Sequence, residues 1–399
     1  MRIAMVDPSL FTGRYDDSLC AALAQVNGPR VDELPKGRHQ VTLYGRPMRG
    51  TDAIEPKNYH YDAHFFRLSE RLRGALGEGK AFRAAKAAEY LAQARLADVG
   101  AMQAADVVHV QWLPFPMADR MLVDRLARSK NGKLPALVHT VHNASAFHGD
   151  SGAQAAGYRA LLDCFDALIV HGEETRGAML AQGLAAEKLH IVPHPPMELA
   201  RASADDLAAV PAPKRPRTLF FGTIRPYKGF DLLIDACIAL WQQGVDFELA
   251  VAGKPFMDIA PLLERVKAAG FADRLVLDLG FLTEPRLDAH LQRADIIVFP
   301  YRHIDSSGAF LSALHYGKAM VATRVGMFSG LDEALVALCP PEDKAALTQT
   351  LRMAIENETQ RAQWGQGVRL MRQAMGQWSD AAALTLDVYE IARERAMKQ

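Results

Sequence analysis

The sequence predicts an α/β chain built from two doubly wound, Rossmann-like domains facing a cleft. Three observations carry that expectation. At 399 residues the chain is too long for one ordinary core. Short apolar runs alternate with amphipathic runs along most of its length, the pattern of βαβ units in parallel sheets. A Pro- and Ala-rich stretch, with Pro211, Pro213 and Pro216 close together, interrupts that alternation near the middle. The expected layout is a first domain over residues 1–194, a linker over 195–216, a second domain over 217–378 and a closing helix over 379–399.

Composition removes several function classes. Lysine plus arginine equals aspartate plus glutamate at 46 each, so no global charge points to nucleic acid. Cys20, Cys164, Cys237 and Cys339 are scattered without metal-ligand spacing, as expected of packing thiols in a reducing cytosol. Residues 1–7 read as a strand broken by Asp7 and Pro8, not as a signal peptide. No apolar run reaches the ~20 residues of a membrane-spanning helix. The expected location is cytoplasmic.

In the first half, residues 2–6 read as a strand, 8–13 as a loop and 16–26 as a helix. Ligands of an open α/β sheet bind beyond the strand carboxyl ends. Gly13, Tyr15 and Asp16 are therefore site candidates, with Arg14 and Asp17 beside them. Asp16 and Asp17 serve equally well as acids at the start of the helix. A Gly-x-Gly-x-x-Gly fingerprint is absent, which disfavours a nicotinamide or flavin dinucleotide. Residues 41–45 are a second strand. A helical region over 65–95, interrupted near Gly74, Gly77 and Gly79, interleaves Arg67, Arg71, Arg73, Lys80, Arg83 and Lys86 with Phe65, Phe66, Leu68, Leu72, Leu76 and Phe82. Such a segment can lie peripherally on an anionic membrane. The competing reading, slightly favoured, is a solvated helix pair capping the sheet.

The next strands, 106–110, 136–141, 167–170 and 189–192, each contain or run into a histidine: His109, His142, His171 and His194. Alone, each is more often structural than catalytic. Together at equivalent strand ends they suggest a polar cleft floor, without the close spacing of a metal site. His148 and Asp150 follow His142 in a loop that could face the same cleft.

In the second half, strands at 218–221, 247–252, 275–279, 295–300 and 319–323 alternate with helices near 230–243, 258–269, 284–293 and 309–316. After the first strand, Gly222 opens a turn carrying Arg225 and Lys228, and a helix begins after Gly229. Backbone N–H groups at a helix start beside two cations suit a diphosphate. A solvated surface turn is the dull alternative. Ser306, Ser307 and Gly308 set a second such geometry at another helix start, where serine capping is the dull alternative. The closing helix carries Arg393, Arg395 and Lys398 at its C-terminal end, where cations complement the helix dipole.

These segments resemble glycosyltransferase family 4, of the GT-B fold. The resemblance runs through 221–229, Val251-Ala252-Gly253, Leu279-Gly280-Phe281, 294–301, Ser307-Gly308 and 317–323, about the last half of the chain. The first half agrees more loosely, through the early glycine loop and Thr140-Val141-His142-Asn143. It implies a retaining, metal-independent transferase that takes a sugar from a UDP-sugar or GDP-sugar to an acceptor hydroxyl, with no bound cofactor. A sugar or lipid-linked sugar acceptor in bacterial surface-polysaccharide, lipopolysaccharide or glycolipid synthesis is implied, as is a closing helix that crosses back to the first domain. By position, Lys228 would hold the donor diphosphate, with Arg225 taking over from the family's arginine, whose place holds Thr223. Gly222, Ser306, Ser307 and Gly308 would complete the donor side. His142 would face the transferred sugar, and Gly13 would let a substrate approach the backbone, with Tyr15, Asp16, His109 and His148 on the acceptor side. The family's paired glutamates fall on Ile304 and Ser312, with Asp305 one residue off the first. Ser312 could meet the ribose only weakly. Two other readings stay open: a sugar-nucleotide epimerase or hydrolase of the same architecture, and a non-catalytic partner of an active transferase.

Overall fold

The structure of the chain is a computed structural model. It describes every residue except 27–38, 51, 53, 78, 114, 129–133, 143–151, 305 and 399, and the side chains of 116, 117 and 152–156. Two compact units result, residues 1–194 with 376–399, and residues 195–375.

The first unit runs β1 (Arg2–Val6), α1 (Gly13–Gln25), β2 (Gln40–Gly45), β3 (His60–Ala63), α2 (Arg67–Leu76), α3 (Lys80–Leu96), α4 (Gly100–Gln103), β4 (Val107–Val110), α5 (Pro116–Leu126), β5 (Ala136–Thr140), α6 (Gly152–Leu162), β6 (Ala167–Val170), α7 (Glu173–Ala181) and β7 (Leu189–Ile191). Its sheet has the order β3-β2-β1-β4-β5-β6-β7, with all pairs parallel. Chain order reverses between β1 and β4, where a doubly wound sheet opens at its carboxyl edge. Both faces are covered. Ile3 and Met5 enter one core with Leu19 and Leu23 of α1, while Ala4 and Val6 enter the other with Leu122 of α5. A strand with no wet face needs an unbroken apolar run, which is why β6 reads Ala-Leu-Ile-Val. The edge strand β3, His-Tyr-Asp-Ala, has no such run and was not expected from the sequence. The helical region at 65–95 is two helices, parted after Gly77, whose φ of +62° ends α2.

The second unit runs α8 (Ala204–Ala209), β8 (Arg217–Phe221), α9 (Phe230–Gln242), β9 (Glu248–Gly253), α10 (Ala260–Ala268), β10 (Leu275–Leu279), α11 (Glu284–Arg293), β11 (Ile296–Phe299), α12 (Gly308–Ala313), β12 (Ala319–Thr323), β13 (Ala337–Cys339), α13 (Lys344–Glu356) and α14 (Glu358–Ala374). Its sheet has the order β10-β9-β8-β11-β12-β13, again parallel, with the reversal between β8 and β11. The three-residue edge strand β13 also escaped the sequence pattern. The stretch expected as the linker, residues 195–216, carries the short helix α8 and belongs, from 195 on, to the second unit. Arg286 donates to the carbonyls of Asp206 and Ala209, Arg293 donates to that of Leu207, and Asp288 accepts from the Ala202 amide, so this stretch is bound to α11.

The last helix, α15 (Trp378–Ala396), belongs to the first unit. Ala381, Ala382, Val388, Tyr389 and Ala392 pack into the core beside α1. Tyr389 Oη lies 2.7 Å from His109 Nδ1, and both side chains are fully buried. Arg395 donates to the Asp166 and Glu187 carbonyls. Tyr389→Phe strands a buried imidazole nitrogen, a loss of roughly 1–3 kcal/mol. The expected outcome is a lower urea midpoint with an unchanged far-ultraviolet circular dichroism spectrum; an unchanged midpoint would show that the contact is energetically idle.

Candidate functional site

In the second unit the site builds outward from the β8 terminus. Gly222 has φ +90°, which turns the chain sharply out of the strand. Ile224 then pairs with the segment after β9: its N–H donates to the Lys254 carbonyl and its carbonyl accepts from the Phe256 N–H. A 3₁₀ turn, Pro226–Lys228, leads to Gly229 at φ +66°, where a Cβ would collide with the Pro300 carbonyl. The loop is thus clamped between the ends of β9 and β11. Arg302 clamps it further, with a bidentate pair to Asp231 at 2.9 and 2.7 Å and a bond to the Pro226 carbonyl. Sequence reasoning passed over Arg302, since nothing local marks it.

Lys228 is 7% exposed, and its ammonium makes no hydrogen bond or ion pair with any described residue. Its ammonium sits 5.4 Å from the Tyr301 ring centroid, under Gly222. Burial, then Arg225, lowers its pKa to about 8. A buried cation without a counter-charge at a sheet's switch point is a place prepared for an anion. Arg225 is half-buried and stacks on Phe256 at 4.3 Å. Beside it, Phe256 and Phe281 are 46% and 56% exposed, with ring centroids 6.1 Å apart and Lys254 lying 4.1 Å over Phe281. This cation-edged aromatic surface sits at the ends of β9 and β10 and can stack a planar heterocycle. Its sequence signal was weak, because two phenylalanines 25 residues apart show no pattern.

The second anion geometry is weaker than expected. Ser307 is buried, and its hydroxyl accepts from the Phe310 N–H as an ordinary N-cap of the six-residue α12. Ser312 is 5% exposed within that helix, a poor position for reaching a ribose. Thr223, Ile304 and Ser306 are half-buried and Gly308 is exposed. Asp305 lies outside the described residues.

In the first unit, several candidates turn out to be internal. Asp16 is fully buried and pairs with Asp7, also fully buried; Thr12 Oγ1 bridges them at 3.2 and 3.1 Å. Burial, then the Asp7 charge, raises the Asp16 pKa well above the carboxylate range, so Asp16 holds the pair's proton. It organises the β1–α1 loop and does not face a substrate. Gly13 is buried with Ile54 and Leu10 on the side a Cβ would occupy, so it packs instead of opening the backbone. His109 is held between Tyr389 and Thr140, each at 2.7 Å, and is a core residue. His148, with Asp150, lies outside the described residues.

The other strand-end histidines do converge. Tyr15 is the hub, with ring centroids 5.0 Å from His142, 5.3 Å from His171, 4.8 Å from His194 and 5.2 Å from Trp378. His171 Nδ1 lies 3.0 Å from the Val192 carbonyl, and its Nε2 lies 3.3 Å from His142 Nδ1. His142 Nε2 meets Gln111 Oε1 at 3.1 Å. Burial, then the neighbouring imidazoles, keeps His142 well below the usual histidine pKa, hence neutral at pH 7. No group of three or more metal-ligating side chains occurs among the described residues. Phe11 and Trp112 stack at 4.0 Å across the β1 and β4 ends, with Phe11 63% exposed. They offer an apolar platform that sequence reasoning missed.

Two family models match this pair of units. "Glycosyl transferase 4-like domain" covers residues 28–195, and "Glycosyl transferases group 1" covers residues 215–357. The chain belongs to glycosyltransferase family 4. The chain is 29% identical over 184 residues to a D-inositol 3-phosphate glycosyltransferase of Pseudarthrobacter chlorophenolicus, spanning 44% of this chain and 43% of that one. It is 38% identical over 116 residues to a lipopolysaccharide core biosynthesis mannosyltransferase of Rhizobium meliloti, spanning 28% and 32%. These alignments cover less than half the length of either relative. Among solved structures, Anabaena HepE in complex with UDP and glucose superposes with a TM-score of 0.64 at 16% identity, over 98% of each chain. That likeness establishes the GT-B fold.

The Asp7–Asp16 pair makes a pH prediction. A carboxyl whose pKa is raised on folding binds more protons folded than unfolded. Stability is then full below the unfolded pKa and falls as pH rises toward the folded one. Asp16→Asn keeps the shape and a donor while removing the ionisation. Its stability relative to the parent should therefore improve between pH 4 and pH 8 in urea unfolding, and a pH-independent difference would refute the shared proton.

Proposed function

We propose that this glycosyltransferase moves a hexose from a UDP-sugar or GDP-sugar to a hydroxyl of a sugar or lipid-linked sugar acceptor. We place it in bacterial lipopolysaccharide, exopolysaccharide or glycolipid synthesis, of which the Rhizobium meliloti relative supports the first. The observation that carries the reading is Lys228, a buried ammonium with no counter-charge among the described residues, at the β8/β11 switch point. A donor diphosphate supplies the missing anion. Arg225, reaching from the same turn, adds a second cation as charge develops on the leaving phosphate, and Gly222 lets phosphate oxygens approach the backbone. The base stacks on Phe256 and Phe281. With Ile304 and Ser312 where the family has glutamates, the sugar and ribose are held more by backbone and by Ser306–Gly308 than by carboxylates.

The reaction follows the family's retaining, metal-independent course. The sugar–phosphate bond breaks, the acceptor oxygen attacks the same face, and the acceptor proton passes to the leaving phosphate. On the acceptor side, His142, neutral and oriented by its imidazole neighbours, positions a sugar, and Phe11 with Trp112 presents an aromatic face to it. The protein works in the cytoplasm at the inner face of the membrane, which α2 and α3 contact through their cations. A sugar-nucleotide epimerase or hydrolase is the second reading. The imidazoles gathered at Tyr15 keep it open, and rapid turnover of a sugar nucleotide without acceptor would establish it. Nucleoside-diphosphate affinity without turnover on a broad acceptor panel would mark a non-catalytic partner.

Lys228→Ala should lower kcat/KM by roughly 10²-fold or more, the scale for losing one electrostatic stabiliser. Near-parental kinetics would sink the diphosphate assignment. Calorimetry adds a second check. With the free Lys228 pKa near 8, binding UDP or GDP at pH 8.5 should draw protons onto the lysine, giving an enthalpy that varies with buffer ionisation heat. Lys228→Met should abolish that variation. Phe281→Ala should weaken nucleoside-diphosphate binding by about tenfold, on the ~1–3 kcal/mol scale of base–aromatic stacking. Unchanged affinity would place the base elsewhere.

A further inference from the structure

β10 is an edge strand, and its outer edge pairs with no strand among the described residues. One bond fixes the direction of its peptide groups. The Gly280 N–H donates to the Gly253 carbonyl at 3.2 Å, so Gly280 faces β9. Facing alternates along a parallel strand, which turns Val276 and Asp278 toward β9 as well. The N–H and C=O groups of Leu275, Leu277 and Leu279 therefore point to the open edge. The side chains of these leucines share one face of the sheet. Leu275 packs against the core under α9 and α10, while Leu277 and Leu279 are each 42% exposed.

Exposed sheet edges normally carry a guard, such as a lysine, a proline, a bulge or a very short strand. The other edges of the two sheets conform. β3 is the polar tetrapeptide His-Tyr-Asp-Ala, and β7 and β13 are three residues each. β10, Leu-Val-Leu-Asp-Leu, has no lysine or proline and runs five residues. Its charged residue does not act as a guard. Asp278 points to the other face, where it accepts from Arg286 Nε at 2.6 Å and lies 2.8 Å from His290 Nε2. The strand also has a leucine two residues to either side of Leu277. An edge of that kind is complementary to itself when read antiparallel.

We propose that β10 pairs antiparallel with β10 of a second copy of this chain, about a two-fold axis at Leu277. Leu277 exchanges both backbone bonds with Leu277 of the partner subunit, and Leu275 does so with Leu279 of the partner subunit. The leucines of both strands fall on one face and cover each other. Charge agrees with this register. It sets Asp273, 70% exposed, opposite Phe281 of the partner subunit, and Lys254 lies 4.1 Å over Phe281. Each end of the ladder thus brings an exposed acid to a lysine. Arg274 stands opposite Gly280 of the partner subunit, so no like charges face each other across the strands. The pairing joins two six-stranded sheets into one and is independent of donor binding and transfer.

The test is the oligomeric state of the full chain, by light scattering after size exclusion over a range of concentrations. A concentration-dependent dimer of twice the chain mass is expected. Leu277→Lys sets two like charges together at the axis and should raise the dimer dissociation constant roughly tenfold or more. Asp273→Lys should weaken the dimer roughly tenfold over its two ends, and adding Lys254→Asp should restore it. Leu277→Cys should give a covalent dimer under a mild oxidant, because Cα atoms of a hydrogen-bonded antiparallel pair stand about 5.5 Å apart. Leu279→Cys should not exceed the background of the parent chain, since the residue opposite it is a leucine. An unchanged far-ultraviolet circular dichroism spectrum checks that each variant is folded. A chain that is monomeric at every concentration, a dimer that survives Leu277→Lys, or equal cross-linking of Leu277→Cys and Leu279→Cys would overturn the proposal. A monomer that binds a synthetic Leu-Val-Leu-Asp-Leu peptide would assign the edge to a foreign strand instead.

Discussion

A parallel strand covered by helices on both faces has nowhere to place polar side chains until it ends. Both sheets of this protein obey that constraint, and the rest of the molecule follows from it. Apolar side chains fill the strands from Arg2–Val6 onward, and charge, imidazole and exposed aromatic groups collect where the strands stop. The exceptions are informative. His109 lies inside β4 and needs two buried partners, Tyr389 and Thr140, to be accommodated. One of those partners is a residue of the last helix, so a strand histidine ties the chain's end to its first core.

Lys228 shows the same constraint acting on charge. Gly222 and Gly229 bend the chain so tightly that the lysine folds back beneath the strand end, and Tyr301 closes over it. Pro300 and Arg302 leave the turn no alternative position. The geometry stores an unmet electrostatic demand, which the proposed donor diphosphate would meet. The Asp7–Asp16 pair resolves the opposite problem internally. Two buried carboxyls share a proton under Thr12, which holds the first loop without asking for a ligand.

Much of this was legible in the sequence. The alternation of apolar and amphipathic runs marked the central strands, because strands buried on both faces are written as contiguous apolar residues. The Gly222, Lys228 and Gly229 turn was legible because glycine punctuation and cations are local signals. Edge strands β3 and β13 were not, since a polar tetrapeptide and a three-residue strand carry no period. Phe11 with Trp112, and Phe256 with Phe281, become platforms only when strand ends meet across the sheet order. The expected openness at Gly13 failed because Ile54, far along the chain, fills that space.

The sequence by itself determined the class of the fold, the place of the Gly222–Gly229 turn and the family, because each rests on local spacing within a few residues. Only the tertiary structure decided which candidates face outward. It sent His109 and Asp16 inward and gathered His142, His171 and His194 around Tyr15. It left the Lys228 ammonium without a counter-charge among the described residues. Burial and partnership depend on residues distant in sequence, so no local pattern can report whether a charge has been answered.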